Sequence, residues 1–218
     1  MDQDAKQQLE HLAEMRALME RNSRFLSLSG LSGVWAGLCA LAGVAAVYAW
    51  LGTRPFAGND VSYFIRALRT ERWGMGYKTA FLSIGGVVLL SALAGGVYFT
   101  WRKAQKRGVR AWDHTSRRLL LALAIPLLAG GIFCLGILYW DLPALIAPAT
   151  LVFYGLALVN GGKYTLHDIE YLGLSEIALG LLGVFFLGHG LELWAVGFGL
   201  LHILYGALMY VKYEGKTA

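Results

Sequence analysis

The chain has 218 residues, 57% of them hydrophobic and only 15% charged. A water-soluble domain scatters charge through its apolar runs, but Thr79–Thr100 and Leu119–Trp140 hold no acid or base. A soluble fold is therefore excluded, and the net charge of +5 matters less than where its 19 Lys and Arg residues fall.

Residues 1–24 mix charges of both signs, and the apolar run behind them is too long for a signal h-region. Together they predict an anchored rather than a cleaved N-terminus. Residues 4–22 read as an amphipathic helix with Ala5, Leu9, Leu12 and Met19 on one stripe. A three-four alternation of apolar or small residues continues from Leu9 to Val47, broken only by Arg16 and Ser23. Residues 1–24 then either run straight into the first span or lie on the membrane surface, hinged near Asn22. The stripe over residues 5–22 offers a contact for a homodimer, a cytoplasmic protein partner or the basic loop described next.

A hydrocarbon core of about 30 Å takes about 20 helical residues to cross. Six apolar runs meet that length, at about 25–52, 79–101, 119–139, 142–160, 171–188 and 190–211. The expected fold is all-α: a polytopic membrane protein with six transmembrane helices, one membrane domain over 25–211, a cytoplasmic amphipathic helix over 1–24 and a short tail over 212–218. Between spans one and two, residues 53–78 open on a Pro/Gly turn. Val61, Phe64, Ile65 and Leu68 then share a helical face, predicting a surface helix with Trp73 and Tyr77 at headgroup level. The next loop is strongly basic, with Arg102, Lys103, Lys106, Arg107, Arg110, Arg117 and Arg118 against a single Asp. Beside a span, such a cluster sets topology and meets anionic lipid headgroups rather than nucleic acid. With the N-terminus inside, 14 of the 19 Lys and Arg residues are cytoplasmic, so both termini are expected inside.

Pro126 and Pro148 fall within spans three and four and predict kinks. Spans three and four join at Tyr139–Pro143, and spans five and six at Gly188–Gly190, both tight turns. Small residues recur at helical spacing in three spans: Gly30, Gly33 and Gly37 in span one, Gly173, Gly180 and Gly183 in span five, Gly199 and Gly206 in span six. Lipid gives helices no hydrophobic reason to associate, so close approach over small residues supplies the packing. These faces are expected to point inward, leaving spans three and four as scaffold.

Two ionisable residues sit deep on those seams. Glu176 and His202 each lie 13 residues from His189, so an antiparallel hairpin sets them at one depth, roughly 20 Å from the turn. A carboxylate is expensive in hydrocarbon unless paired or protonated, and this histidine answers both needs. The pair is either a proton-responsive element or an interhelical clamp worth about 1 kcal/mol or less.

No cofactor is expected, because a bis-histidine haem site needs two deep histidines and only His202 is deep. No metal site is expected either: His167, Asp168 and Glu170, or His189 and Glu192, lack a diagnostic ligand set. Cys39 and Cys134 lie in spans with no framework spacing, and a Gly-x-Ser-x-Gly nucleophile turn is missing. No catalytic residue emerges.

The stretch Ser23-Arg24-Phe25-Leu26-Ser27-Leu28-Ser29-Gly30-Leu31-Ser32-Gly33-Val34-Trp35-Ala36-Gly37 resembles the N-terminal part of an uncharacterised family of small bacterial multispanning membrane proteins. The resemblance covers residues 15–50. It implies a bacterial inner-membrane location and a regulatory association, and carries over no activity. Small-solute or ion permeation is the first functional expectation. A membrane-embedded sensor or regulatory partner acting through the N-terminal helix and basic loop is the second, and an intramembrane enzyme the third.

Overall fold

The computed structural model describes residues 29–55, 63–106 and 114–214, with 11, 108 and 112 as single positions. The expectations for the N-terminal helix, Arg107, Arg110, Val61 and the last four residues lie outside the described residues. The protein is an all-α polytopic membrane protein. Its helices are α1 (Gly30–Leu51), α2 (Tyr63–Arg69), α3 (Tyr77–Lys106), α4 (His114–Tyr139), α5 (Ile146–Gly162), α6 (His167–Phe185), α7 (Gly190–Trp194) and α8 (His202–Tyr213). A π-helical turn, Ala195–Leu201, joins α7 to α8 in one rod. Among the described residues, five helical segments are long and apolar enough to cross a membrane; α6, with Asp168, Glu170 and Glu176, is the one candidate span outside that set.

Two glycine seams set the packing. On the first, α1 lies against α8 and the π turn. A Cβ at Gly206 would sit 2.6 Å from Val34 N and 2.7 Å from the Gly30 carbonyl, while one at Gly33 would meet Gly206 Cα at 3.1 Å. Gly37 lies in the same way against the Gly199 carbonyl and Ile203. The second seam joins α6 to α5 rather than to the α7–α8 rod. Cβ atoms at Gly155 and Gly173 would each come within 3 Å of the other's carbonyl, and Gly180 lies on Val152 and the Pro148 carbonyl. Span four, expected as scaffold, is thus the interlocking partner of span five, because its own Gly155 lets the two backbones meet. The outer helices α3 and α4 are mostly exposed, α3 resting on α1 and α4 on α5. Where α3 touches α1, the Trp35 indole lies over Gly95 and donates to the Ser91 carbonyl at 2.9 Å.

Proline acts differently at its two intraspan positions. Pro126 lies inside α4 and cannot bond the Ala122 carbonyl four residues back; Asn160 Nδ2 of α5 donates to that carbonyl at 2.9 Å instead. Pro148, expected to kink span four, falls in the first turn of α5, after a 3₁₀ turn over Pro143–Leu145, where a missing N–H leaves nothing unsatisfied.

Polar groups close both ends of the bundle. At the basic end, Glu214 follows α8 and accepts from the Gly30 N–H at 2.7 Å and from Ser29 Oγ at 3.3 Å. Lys103 of α3 reaches the same carboxylate at 3.3 Å. A carboxylate is favourable at a helix N-terminus, where free N–H groups and the macrodipole converge. Lys103, one of the basic residues expected to set topology or meet lipid headgroups, is buried, 7% exposed, and paired with Glu214. Asp168 in the first turn of α6 similarly takes Tyr213 Oη at 2.7 Å and Lys212 at 3.1 Å. At the turn end, Gly52 closes α1 at a positive φ of 67°, and Arg72 caps the Ala49 carbonyl at 2.8 Å. Tyr77, expected at headgroup level, is instead buried and donates to Asp141, which also pairs with Lys78 at 3.0 Å.

Two outcomes follow from this packing. Gly206→Ala should destabilise the protein by about 1–3 kcal/mol, because its neighbours are backbone and cannot yield. Gly131→Ala, which meets open space, should be neutral or stabilising; thermal unfolding in detergent compares the two. The Tyr77 hydroxyl and Lys78 hold the Asp141 carboxyl below its ordinary value. Its contribution is therefore complete above the usual carboxylate range and is lost as pH falls through the lowered value. Asp141→Asn should flatten the acid side of the stability-against-pH curve measured by the same unfolding.

Candidate functional site

The site lies where the two glycine seams meet. Glu176, in the third turn of α6, is completely buried, and His202, first residue of α8, is 5% exposed. His202 Nδ1 and Glu176 Oε1 are 3.3 Å apart, so the structure brings the expected pair together.

Three features of this pair have no clear signal in spacing. The first is Tyr154 of α5, whose hydroxyl lies 2.8 Å from His202 Nε2. The second is Gly197: a Cβ there would overlap Glu176 Oε2, so the carboxylate occupies the space a side chain would fill. The third is the π turn itself, which sets the Gly197 carbonyl 3.0 Å from His202 Nδ1. Helix-interior carbonyls are normally spent on their own ladder, and a wide turn is a recurrent way to free or re-aim one at a working site. The turn also divides the stripe expected along span six. Gly199 faces Leu41 of α1, while the His202 ring faces α5 and α6.

The hydrogen-bond partners fix part of the protonation state. A carbonyl only accepts, so Nδ1 of His202 carries a proton. With a neutral ring, Tyr154 donates into Nε2; with an imidazolium, Nε2 donates to the Tyr154 oxygen. Both Glu176 oxygens are buried and accept no hydrogen bond among the described residues. An ionised carboxylate in that position is costly without a facing cation. The pair accordingly has two net-neutral forms, neutral acid beside neutral imidazole and carboxylate beside imidazolium. They hold the same number of protons and differ in where one of them sits; gain or loss of a proton leaves the pair with an unbalanced buried charge.

Towards the turn end, aromatic rings stack on the histidine. Phe198 lies nearly parallel to it at 5.7 Å between centroids, and both Trp194 and Tyr154 lie 4.7 Å from Phe198. Towards the basic end, Leu158, Leu166, Ile169, Leu172 and Met209 form a buried apolar cluster against which Tyr154 also packs.

The remaining candidates are placed as follows. Arg102, Lys106, Arg117 and Arg118 are exposed at the basic end. His167 and Glu170 approach at 3.7 Å on the surface, while Glu192 takes the Tyr48 hydroxyl at 2.7 Å near the turn end. Among the described residues no group of three or more His, Cys, Asp or Glu could hold a metal. Cys39 and Cys134 are free thiols. Compared with protein-family models, curated proteins and solved structures, the chain matches none.

His202→Phe should cost about 3 kcal/mol or more, since it leaves the buried Glu176 with no partner. Adding Glu176→Leu should recover most of that loss. Denaturant titration of the two single variants and the double variant measures the coupling.

Proposed function

We propose that this chain is a six-span protein of a bacterial inner membrane, with both termini in the cytoplasm, that works as a proton-responsive sensor or regulatory partner. The observation that carries this is a fully buried carboxylate facing a histidine across two different helices, with no hydrogen bond among the described residues to hold it in one charge state. A group in that situation changes its interaction with its neighbour when one proton arrives or leaves.

Permeation, the first expectation from sequence, asks for a polar passage beside Glu176. Among the described residues, two cavities of about 410 and 150 Å³ are apolar, and neither is lined by Glu176 or His202. The surroundings of the pair favour a sealed switch instead, with rings packed on one side and an aliphatic cluster on the other.

An output route supports the regulatory reading. The His202 backbone carbonyl lies against Gly33, so a shift of the ring's helix presses directly on α1. Fifteen residues after Gly199 along the chain, and past the end of α8, Glu214 grips Ser29 and Gly30 at the start of α1. The amphipathic stripe over residues 5–22 then supplies a surface for a second copy or a cytoplasmic protein. Arg102, Lys106, Arg117 and Arg118 would hold this end against anionic headgroups.

The test is infrared titration of the protein reconstituted in liposomes, combined with proton flux under an imposed pH gradient. A carboxyl band that titrates in the wild type and is missing from Glu176→Gln, with no flux in either, is the expected result. Proton or ion flux that Glu176→Gln abolishes would restore the permeation reading. An unchanged pH response in the variant Glu176→Gln, His202→Asn would remove the proton role.

A further inference from the structure

The cavity of about 150 Å³, partly open at the surface, lies in the half of the bundle nearer the turns, walled by α1, α3, α5 and α7 with Tyr63 of α2 also in its lining. Its wall is aliphatic and aromatic apart from three polar groups, and the protons of all three are used. Trp194 Nε1 donates to Thr150 Oγ1 at 3.2 Å, Thr150 Oγ1 donates to the Ala147 carbonyl at 2.9 Å, and Tyr63 Oη donates to the Ala144 carbonyl at 3.3 Å. A buried water needs about two to four polar partners, and a space without them stays dry. A dry apolar cavity of roughly 150 Å³ accepts a guest the size of benzene, about six carbons.

The α3 wall is one helix thick. Its inner face carries Ile84, Gly85 and Val88, while Leu82, Val87, Leu89 and Leu90 on the other side are exposed apolar surface that meets lipid. Gly85 lines the cavity, is itself exposed, and a Cβ there would meet nothing within 4 Å, so open space adjoins the cavity at this point of α3. The cavity is thus continuous in character with the bilayer, whose most abundant apolar groups are acyl chains.

We propose that this cavity is a binding site for a lipid acyl chain, whose terminal carbons enter beside Gly85 of α3 and lie against Val88, Ala147, Thr150 and Trp194. The site is separate from Glu176 and His202, and its occupancy does not depend on the proton reading above.

The experiment reconstitutes the full chain in liposomes of phospholipid bearing a diazirine near the chain terminus, irradiates them, and maps the adducts by peptide mass spectrometry. Adducts on the inward residues Val88, Ala147 or Thr150 are expected, alongside those on the lipid-facing residues Ile132 and Phe133 of α4. Gly85→Leu fills the gap and should remove the inward adducts while leaving those on α4; Gly85→Val serves if the leucine variant unfolds. Adducts confined to lipid-facing residues would overturn the proposal, as would inward adducts that survive both substitutions. Inward labelling by a free alkyl diazirine but not by the lipid would also overturn it, replacing the acyl chain with a small free hydrophobe.

Discussion

Everything in this bundle depends on the approach of one helix backbone to another over glycine. In water, apolar side chains drive helices together; in lipid that force is missing, and dispersion contacts between closely set backbones must do the same work. The chain concentrates those contacts in two seams, α1 with α8 and α5 with α6. The outer helices α3 and α4 lean on these pairs through side chains set over glycine, Trp35 on Gly95 and Phe153 on Gly130, rather than backbone on backbone. Their glycines at 85, 86, 131 and 136 meet open space, so a small residue in this chain does not by itself mark an interface.

The seams also explain why the buried polar residues are tolerable. Glu176 is carried by one tight pair and His202 by the other, so each pair closes the other's polar group away from lipid. Gly197 makes room for the carboxylate, and the rigid neighbours on both sides keep the imidazole at a fixed distance. Polar closure at the bundle ends follows a similar economy of parts. Glu214 caps a helix that begins 184 residues earlier and neutralises Lys103 with the same carboxylate, while Asp141 serves Tyr77 and Lys78 together.

Much of the fold was legible because membrane crossing leaves a long-range imprint on composition: lengths, turns and the all-helical class follow from it. Equal spacing from the His189 turn pointed to Glu176 and His202 meeting, as they do, although the π turn before His202 departs from the uniform rise that reading used. What could not be read was the choice of partner. A glycine stripe says that some backbone comes close, but not which one, and so α5 was undervalued until Gly155 was seen against Gly173. Tyr154 was hidden for the same reason, as one tyrosine among eleven with no spacing to link it to a histidine 48 residues away. Lys103 looked like its basic neighbours because its partner, Glu214, lies 111 residues downstream.

The wide turn at Ala195–Leu201 has a consequence for descent. A turn that holds more residues than its neighbours is, in effect, an insertion stored inside a helix, and the positions beyond it are rotated relative to those before. A relative that lost one residue between Trp194 and His202 would keep an apolar run long enough to span the membrane. Its histidine, however, would face a different neighbour, and the glycines at 199 and 206 would no longer share a line with those of α1. Length in this short interval, as well as the bare backbone at Gly197 and Gly199, is therefore what inheritance has to preserve.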